Sequence, residues 1–144
     1  MTTSTLDATT LKPATTPVVA SLFDLAARFG LSAIFLISGL GKLTQYAGTQ
    51  AYMQAMGVPS GLLPIVIAVE VLGGAALLSG LYTRWAAFLL AGFSLVSAAL
   101  FHADFGDQIQ QIMFLKNLAM TGGLLAFVVH GAGAWSLDRQ VRKI

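Results

Sequence analysis

Residues 62–101 read LLPIVIAVEVLGGAALLSGLYTRWAAFLLAGFSLVSAALF, two apolar runs joined only by Leu81-Tyr82-Thr83-Arg84. Each run approaches the ~20 residues that a helix rising ~1.5 Å per residue needs to cross ~30 Å of hydrocarbon. A linker this short brings the second run straight back beside the first, so the stretch predicts an antiparallel helical hairpin within a bilayer. Pro64 falls in the first turn of the earlier helix, where its missing N–H costs nothing. Outward from the hairpin, 22–41 and 113–131 supply two further apolar runs, the last being the least clean in hydropathy. The prediction is an all-α integral membrane bundle of four helices with antiparallel neighbours, over 22–41, 62–80, 85–101 and 113–131.

Composition agrees with this reading. Of 144 residues, 56% are hydrophobic and 10% charged, against roughly 25% charged in soluble domains. The mean hydropathy is +0.79. That much apolar surface needs lipid as its solvent. One compact domain fits the length, taken as 21–144, preceded by a Thr-rich polar tail at 1–20 that contains Pro13 and Pro17 and has no signal-peptide pattern. The net charge of +2 is the balance of eight Lys and Arg against six Asp and Glu, and the basic residues are scattered along the chain, which excludes a nucleic-acid patch. Cysteine is absent, so thiol relays and thiolate metal sites are excluded as well.

Basic residues set the expected orientation. Lys12, Arg84, Arg139, Arg142 and Lys143 share one side of a four-span arrangement, against Lys42 and Lys116 with Asp104 and Asp107 on the other, so both termini are expected in the cytoplasm. Ser21 and Asp24 have capping-box spacing at the first helix start. Ala76 and Gly80, Ala87 and Ala91, and Ser94 and Ala98 recur at four-residue spacing, which suits close helix contact.

Ionisable residues within spans are expensive and are therefore the candidates for pairing or function. Arg28 in the first span and Glu70 in the second are expected to form a buried ion pair that fixes how those helices pack. The functional alternative makes Glu70 a proton carrier. Gly73 and Gly74 share its helix face and would admit either a neighbouring helix, the favoured reading, or a flat ligand. Lys42, His102 and Lys116 fall near the outer ends of three spans. Singly they read as interfacial side chains; together, with Asn117, they would form a positive pocket for an anion, a hydroquinone oxygen or a carbonyl. His130 lies at the opposite end from His102, so the two cannot share a metal. The run His102, Asp104, Asp107 lacks a further ligand, and no metal site is assigned. Lys116, Met120, Gly123, Phe127 and His130 repeat down one face of the fourth helix, as a packing stripe or as a pathway lining.

Taken in order, Arg28, FLISGLGKL at 35–43, GVP at 57–59, Glu70 with VLGGAALLSGLYTR, His102, FLKNLAMTGGLL at 114–125 and WSLD at 135–138 resemble the DoxX family of small bacterial membrane proteins. The resemblance implies a four-helix inner-membrane fold and an oxidoreductase label, since related members are associated with quinone-linked sulfur oxidation and with resistance to quinone or oxidative stress. It carries no established catalytic residue. The resulting expectation is an oxidoreductase component that holds a quinone or similar aromatic between its helices. Glu70, Lys116 and His102 would then be catalytic, and Arg28, Lys42, Gly73, Gly74 and Asn117 would line the ligand. Alternatives are a noncatalytic partner or assembly subunit and a small-solute transporter. The expected associations are the bilayer, a membrane or redox protein, and copies of the same chain.

Overall fold

A computed structural model describes residues 18–141; the 1–17 part of the proposed tail, Arg142 and Lys143 lie outside them. The helices are α1 (Val18–Thr44), α2 (Tyr46–Ala55), α3 (Leu63–Ser79, preceded by a 3-10 turn at Ser60–Leu62), α4 (Thr83–Phe101), α5 (Gln108–His130) and α6 (Leu137–Val141). Four segments, α1, the 3-10 turn with α3, α4 and α5, are long and apolar enough to cross a membrane.

The outer surface is as apolar as the core, and small polar side chains are buried among the apolar ones. Phe23, Ile37, Leu72 and Leu115 point outward, while Ser21, Ser32, Thr83, Ser94 and Thr121 are buried. Lipid tails are as apolar as leucine, so association depends on close packing of small side chains and on internal hydrogen bonds. Ala87, Ala91, Ser94 and Ala98 accordingly form the buried face of α4, against which α5 packs most extensively. Thr121 Oγ1 donates to Asn117 O at 2.9 Å and reaches Ala91 O across the interface at 3.5 Å.

The predicted hairpin closes through two left-handed residues, Gly80 (φ 71°) and Tyr82 (φ 47°). A tyrosine in that region is strained by ~1–2 kcal/mol. Asp138 holds it there: its carboxylate accepts Tyr82 N–H at 2.7 Å and Thr83 N–H at 2.9 Å, capping α4, while its own N–H donates to Gly80 O at 2.8 Å. The segment after α5 is thereby strapped across the α3–α4 turn.

Arg28 completes this strap, and here the expected Arg28–Glu70 pair is overturned. The guanidinium is only 1% exposed and donates to the carbonyls of Leu78, at 3.3 Å, and Trp135. Asp24 and Asp138 balance its charge through space. Arg28 reaches the end of α3 at Leu78, whereas Glu70 lies at the middle of that helix, about two turns away. Both carbonyls lack intrahelical donors, one at a helix C-terminus and one in an irregular loop, which gives a buried cation two acceptors. The proposed cap is displaced too: α1 already includes Val18, Ser21 is buried within it, and Asp24 lies against the strap.

α3 sits between α1 and α4, and α4 between α3 and α5, while α1 and α5 touch only lightly. The α1–α5 contact includes Leu31 against Gly123, where an added Cβ would stand 3.3 Å from the leucine. Phe127 lies in the main core with Phe35, Leu77, Leu90 and Leu124. The α5 stripe is therefore a packing face at Gly123 and Phe127, in its middle. The helix α2 was not foreseen. It is too short to span, has no side-chain cap, and is anchored by Met53 against Leu63 and Ile67.

Candidate functional site

Toward the His102 end, α1 and α5 no longer close on each other, and a cavity of about 370 Å³ lies between α1, α3, α4 and α5 with α2 beside it. This is within the ~300–1,000 Å³ range of small-molecule sites. Phe35, Val66, Phe93, Val96 and Met120 give it apolar walls, and Tyr52 of α2 stacks on Phe101 at 5.6 Å between ring centres.

One wall is polar. Ser38 and Lys42 stand one helical turn apart on α1, on the face toward α3. Lys42 Nζ lies 2.8 Å from each Glu70 oxygen and 2.6 Å from Ser38 Oγ; Ser38 in turn donates to Glu70 Oε1 at 3.1 Å. The lysine's three N–H donors thus have three acceptors. Glu70 is 3% exposed, and its ion pair with Lys42 is the one salt bridge among the described residues. A buried carboxylate is tolerable when paired and hydrogen-bonded.

Gly39 makes the pair reachable. A Cβ there would stand 2.7 Å from Val71 Cγ2 and 3.0 Å from Glu70 Cβ, so only glycine lets α3 approach α1 at this level.

The opposite side carries His102, Lys116 and Asn117, all lining the same cavity. His102 Nδ1 meets Gln110 Oε1 at 2.8 Å; with the amide oxygen accepting, Nδ1 is the donor and Nε2 is left facing other partners. Asn117 is buried and donates to Met113 O at 2.9 Å, leaving its amide oxygen as an acceptor. Among the described residues, Lys116 hydrogen-bonds the weak acceptor Met113 Sδ alone, at 3.3 Å.

The structure thus gathers five sequence candidates, Glu70, Lys42, His102, Lys116 and Asn117, around one space, and separates three from it. Arg28 belongs to the strap. Gly73 and Gly74 face helices, because Cβ atoms there would meet Leu90 at 2.9 Å and Leu36 at 3.1 Å; they are packing positions, not ligand lining. Ser38, Gly39, Tyr52 and Gln110 were missed. The i, i+4 spacing of Ser38 and Lys42 was a usable signal for the first. Asp104 accepts Gly106 N–H and Asp107 caps α5, so the His102, Asp104, Asp107 run has turn and cap duties.

The DoxX family profile matches residues 23–103, which include Arg28, Ser38, Lys42, Glu70 and His102. The inner membrane protein YqjF of Escherichia coli K12 is 48% identical over 119 residues, covering 83% of this chain and 92% of that protein. The chain belongs to the DoxX family. A second relative, the inner membrane protein YphA of the same organism, is 35% identical over 123 residues, covering 81% of this chain and 88% of its own. With four membrane-spanning helices, this DoxX protein is a multi-pass inner-membrane protein. No solved structure matches it significantly.

Proposed function

We propose that this DoxX protein is a membrane oxidoreductase component that holds a quinone, or a comparably flat oxygenated aromatic, in the cavity beside Glu70. The observation that carries the reading is a hydrogen-bonded Lys42–Glu70–Ser38 cluster set into the wall of an otherwise apolar, aromatic-lined space. Apolar walls suit the ring and its tail. Of roughly four acceptor positions on the Glu70 carboxylate, the lysine and serine take three, leaving one for a hydroquinone hydroxyl. Glu70 exchanges that proton, and Lys42 stabilises the carboxylate. On the far side Asn117, His102 and Lys116 hold the second oxygen. Without cysteine, electrons pass to or from a second reactant or a redox partner protein.

Arg84 and Arg139 lie at one end and Asp104 and Asp107 at the other, which supports placing the Arg84 end in the cytoplasm and the cavity in the outer half of the membrane.

A second reading, a noncatalytic assembly subunit, draws support from Lys42 being satisfied entirely by its own chain. One experiment separates the two. Purified protein is extracted for quinones and titrated with a short-tailed quinone, alongside Glu70→Gln. Retention by wild type, with at least a tenfold loss in the variant, supports the redox reading. No retained quinone, together with unchanged quinone tolerance of cells carrying Glu70→Gln, eliminates it, and a stoichiometric partner in native membranes then supports the assembly reading.

A further inference from the structure

The Arg84 end holds a second cavity, of about 310 Å³, that the redox reading does not use. Three elements bring basic side chains to it: Arg84 from the first turn of α4, His130 from the last turn of α5, and Arg139 from α6. The floor is the loop at 131–134, where Gly131 (φ 78°) and Gly133 (φ 76°) take left-handed conformations. Arg84 Nε lies 3.7 Å from where a Gly131 Cβ would stand, so the guanidinium runs along the floor.

Neither Arg84 nor Arg139 has an ion pair among the described residues. The one carboxylate lining the cavity, Asp138, accepts the backbone N–H groups of Tyr82 and Thr83 with its two oxygens. Arg84 and Arg139 together carry two positive charges, against the one negative charge of Asp138 and about half an electron at the C-terminus of α5, so the lining is net positive. The cavity therefore presents guanidinium groups, which match the geometry of a phosphate or carboxylate.

Its depth indicates which anion is at hand. Tyr82, Trp85 and Trp135 are exposed at this same end. Aromatic residues of this amphipathic kind settle at the membrane–water boundary, at headgroup level. A cationic cavity at that depth faces lipid phosphates rather than hydrocarbon.

We propose that this cavity binds the phosphate of an anionic phospholipid headgroup, with Arg84 and Arg139 as its ligands and His130 at its rim. The lipid ties α4, α5 and the strap together from the membrane side. The site is at the opposite end of the bundle from Glu70 and does not depend on what the first cavity holds.

The test is native mass spectrometry of the full-length protein in detergent with added phosphatidylglycerol or phosphatidylcholine, comparing wild type, Arg139→Gln and Arg84→Gln/Arg139→Gln. At about fivefold per arginine near a membrane surface, the single variant should retain about fivefold less phosphatidylglycerol and the double about twenty-fivefold less. Wild type should prefer phosphatidylglycerol to phosphatidylcholine. Equal retention of the two lipids, or retention unchanged in Arg139→Gln, whose exposed side chain is not needed for folding, overturns the proposal. Displacement of the lipid by millimolar inorganic phosphate overturns a lipid as the source of the phosphate group.

Discussion

Arg28 and Lys42 stand on one helix, fourteen residues apart in sequence, which is about 21 Å along α1. Each is a cation within a membrane span, yet their surroundings differ in kind. Arg28 is enclosed and donates to two backbone carbonyls that belong to the ends of other elements. Lys42 is 24% exposed, pairs with a carboxylate and lines a cavity. The first arrangement satisfies the fold and leaves no room for a ligand. The second satisfies itself and leaves room beside it. Burial of a charge alone does not separate structural from functional roles; the presence of space next to it does.

Substitutions can break that contrast, beginning with the strap. Arg28→Met leaves the carbonyls of Leu78 and Trp135 without their donors and the charges of Asp24 and Asp138 less balanced. It should cost roughly 2 to 5 kcal/mol, about 1 to 3 for each carbonyl left without its donor. Denaturant unfolding in detergent would measure this. A loss below about 1 kcal/mol would mean that the strap is not what holds the Arg84 end together.

An intermediate effect is expected at the helix crossing. Gly39→Ala drives a methyl group toward Val71 and Glu70, and overpacking of this kind costs about 1 to 3 kcal/mol. Because it parts α1 from α3 beside the ion pair, it should also weaken quinone retention. Unchanged stability and retention would show that α3 can slide without losing the pair.

The smallest stability effect belongs to a double replacement. Lys42→Met with Glu70→Leu removes both charges at once, and exchanging a buried pair for apolar side chains is often neutral or stabilising. Stability should stay within about 1 kcal/mol of wild type while Lys42→Met alone loses more, a non-additivity that a double-mutant cycle reads directly. Quinone retention should disappear in the double variant. If the double variant unfolds as readily as Arg28→Met, the two ends of α1 play the same structural part.

Individual residues show how far the chain could be read beforehand. Pro64 and the four-residue linker marked the hairpin, because proline chemistry and linker length act locally. The small residues Ala87, Ala91, Ser94 and Ala98 marked a close helix face for the same reason. Helix α2 escaped notice: ten residues of moderate hydropathy with no cap carry little signal, and its one anchor, Met53, is defined by contacts with Leu63 and Ile67. Arg28 was assigned the wrong partner because sequence gives depth along a helix and not its rotation. Opposite charges in adjacent spans suggest a pair, while the carbonyls that Arg28 uses have no signature in the side-chain sequence.

Sequence by itself determined the solvent, the number of spans, the hairpin and the candidate polar residues, since hydropathy, length and turn chemistry are local and additive along the chain. Tertiary structure alone decided who pairs with whom. Gly39 brings Glu70 to Lys42, Asp138 crosses from the C-terminal segment to hold Tyr82, and the parting of α1 from α5 beyond Leu31 and Gly123 opens the space beside the pair. Each depends on helix rotation and on contacts between distant segments, and a one-dimensional pattern constrains neither.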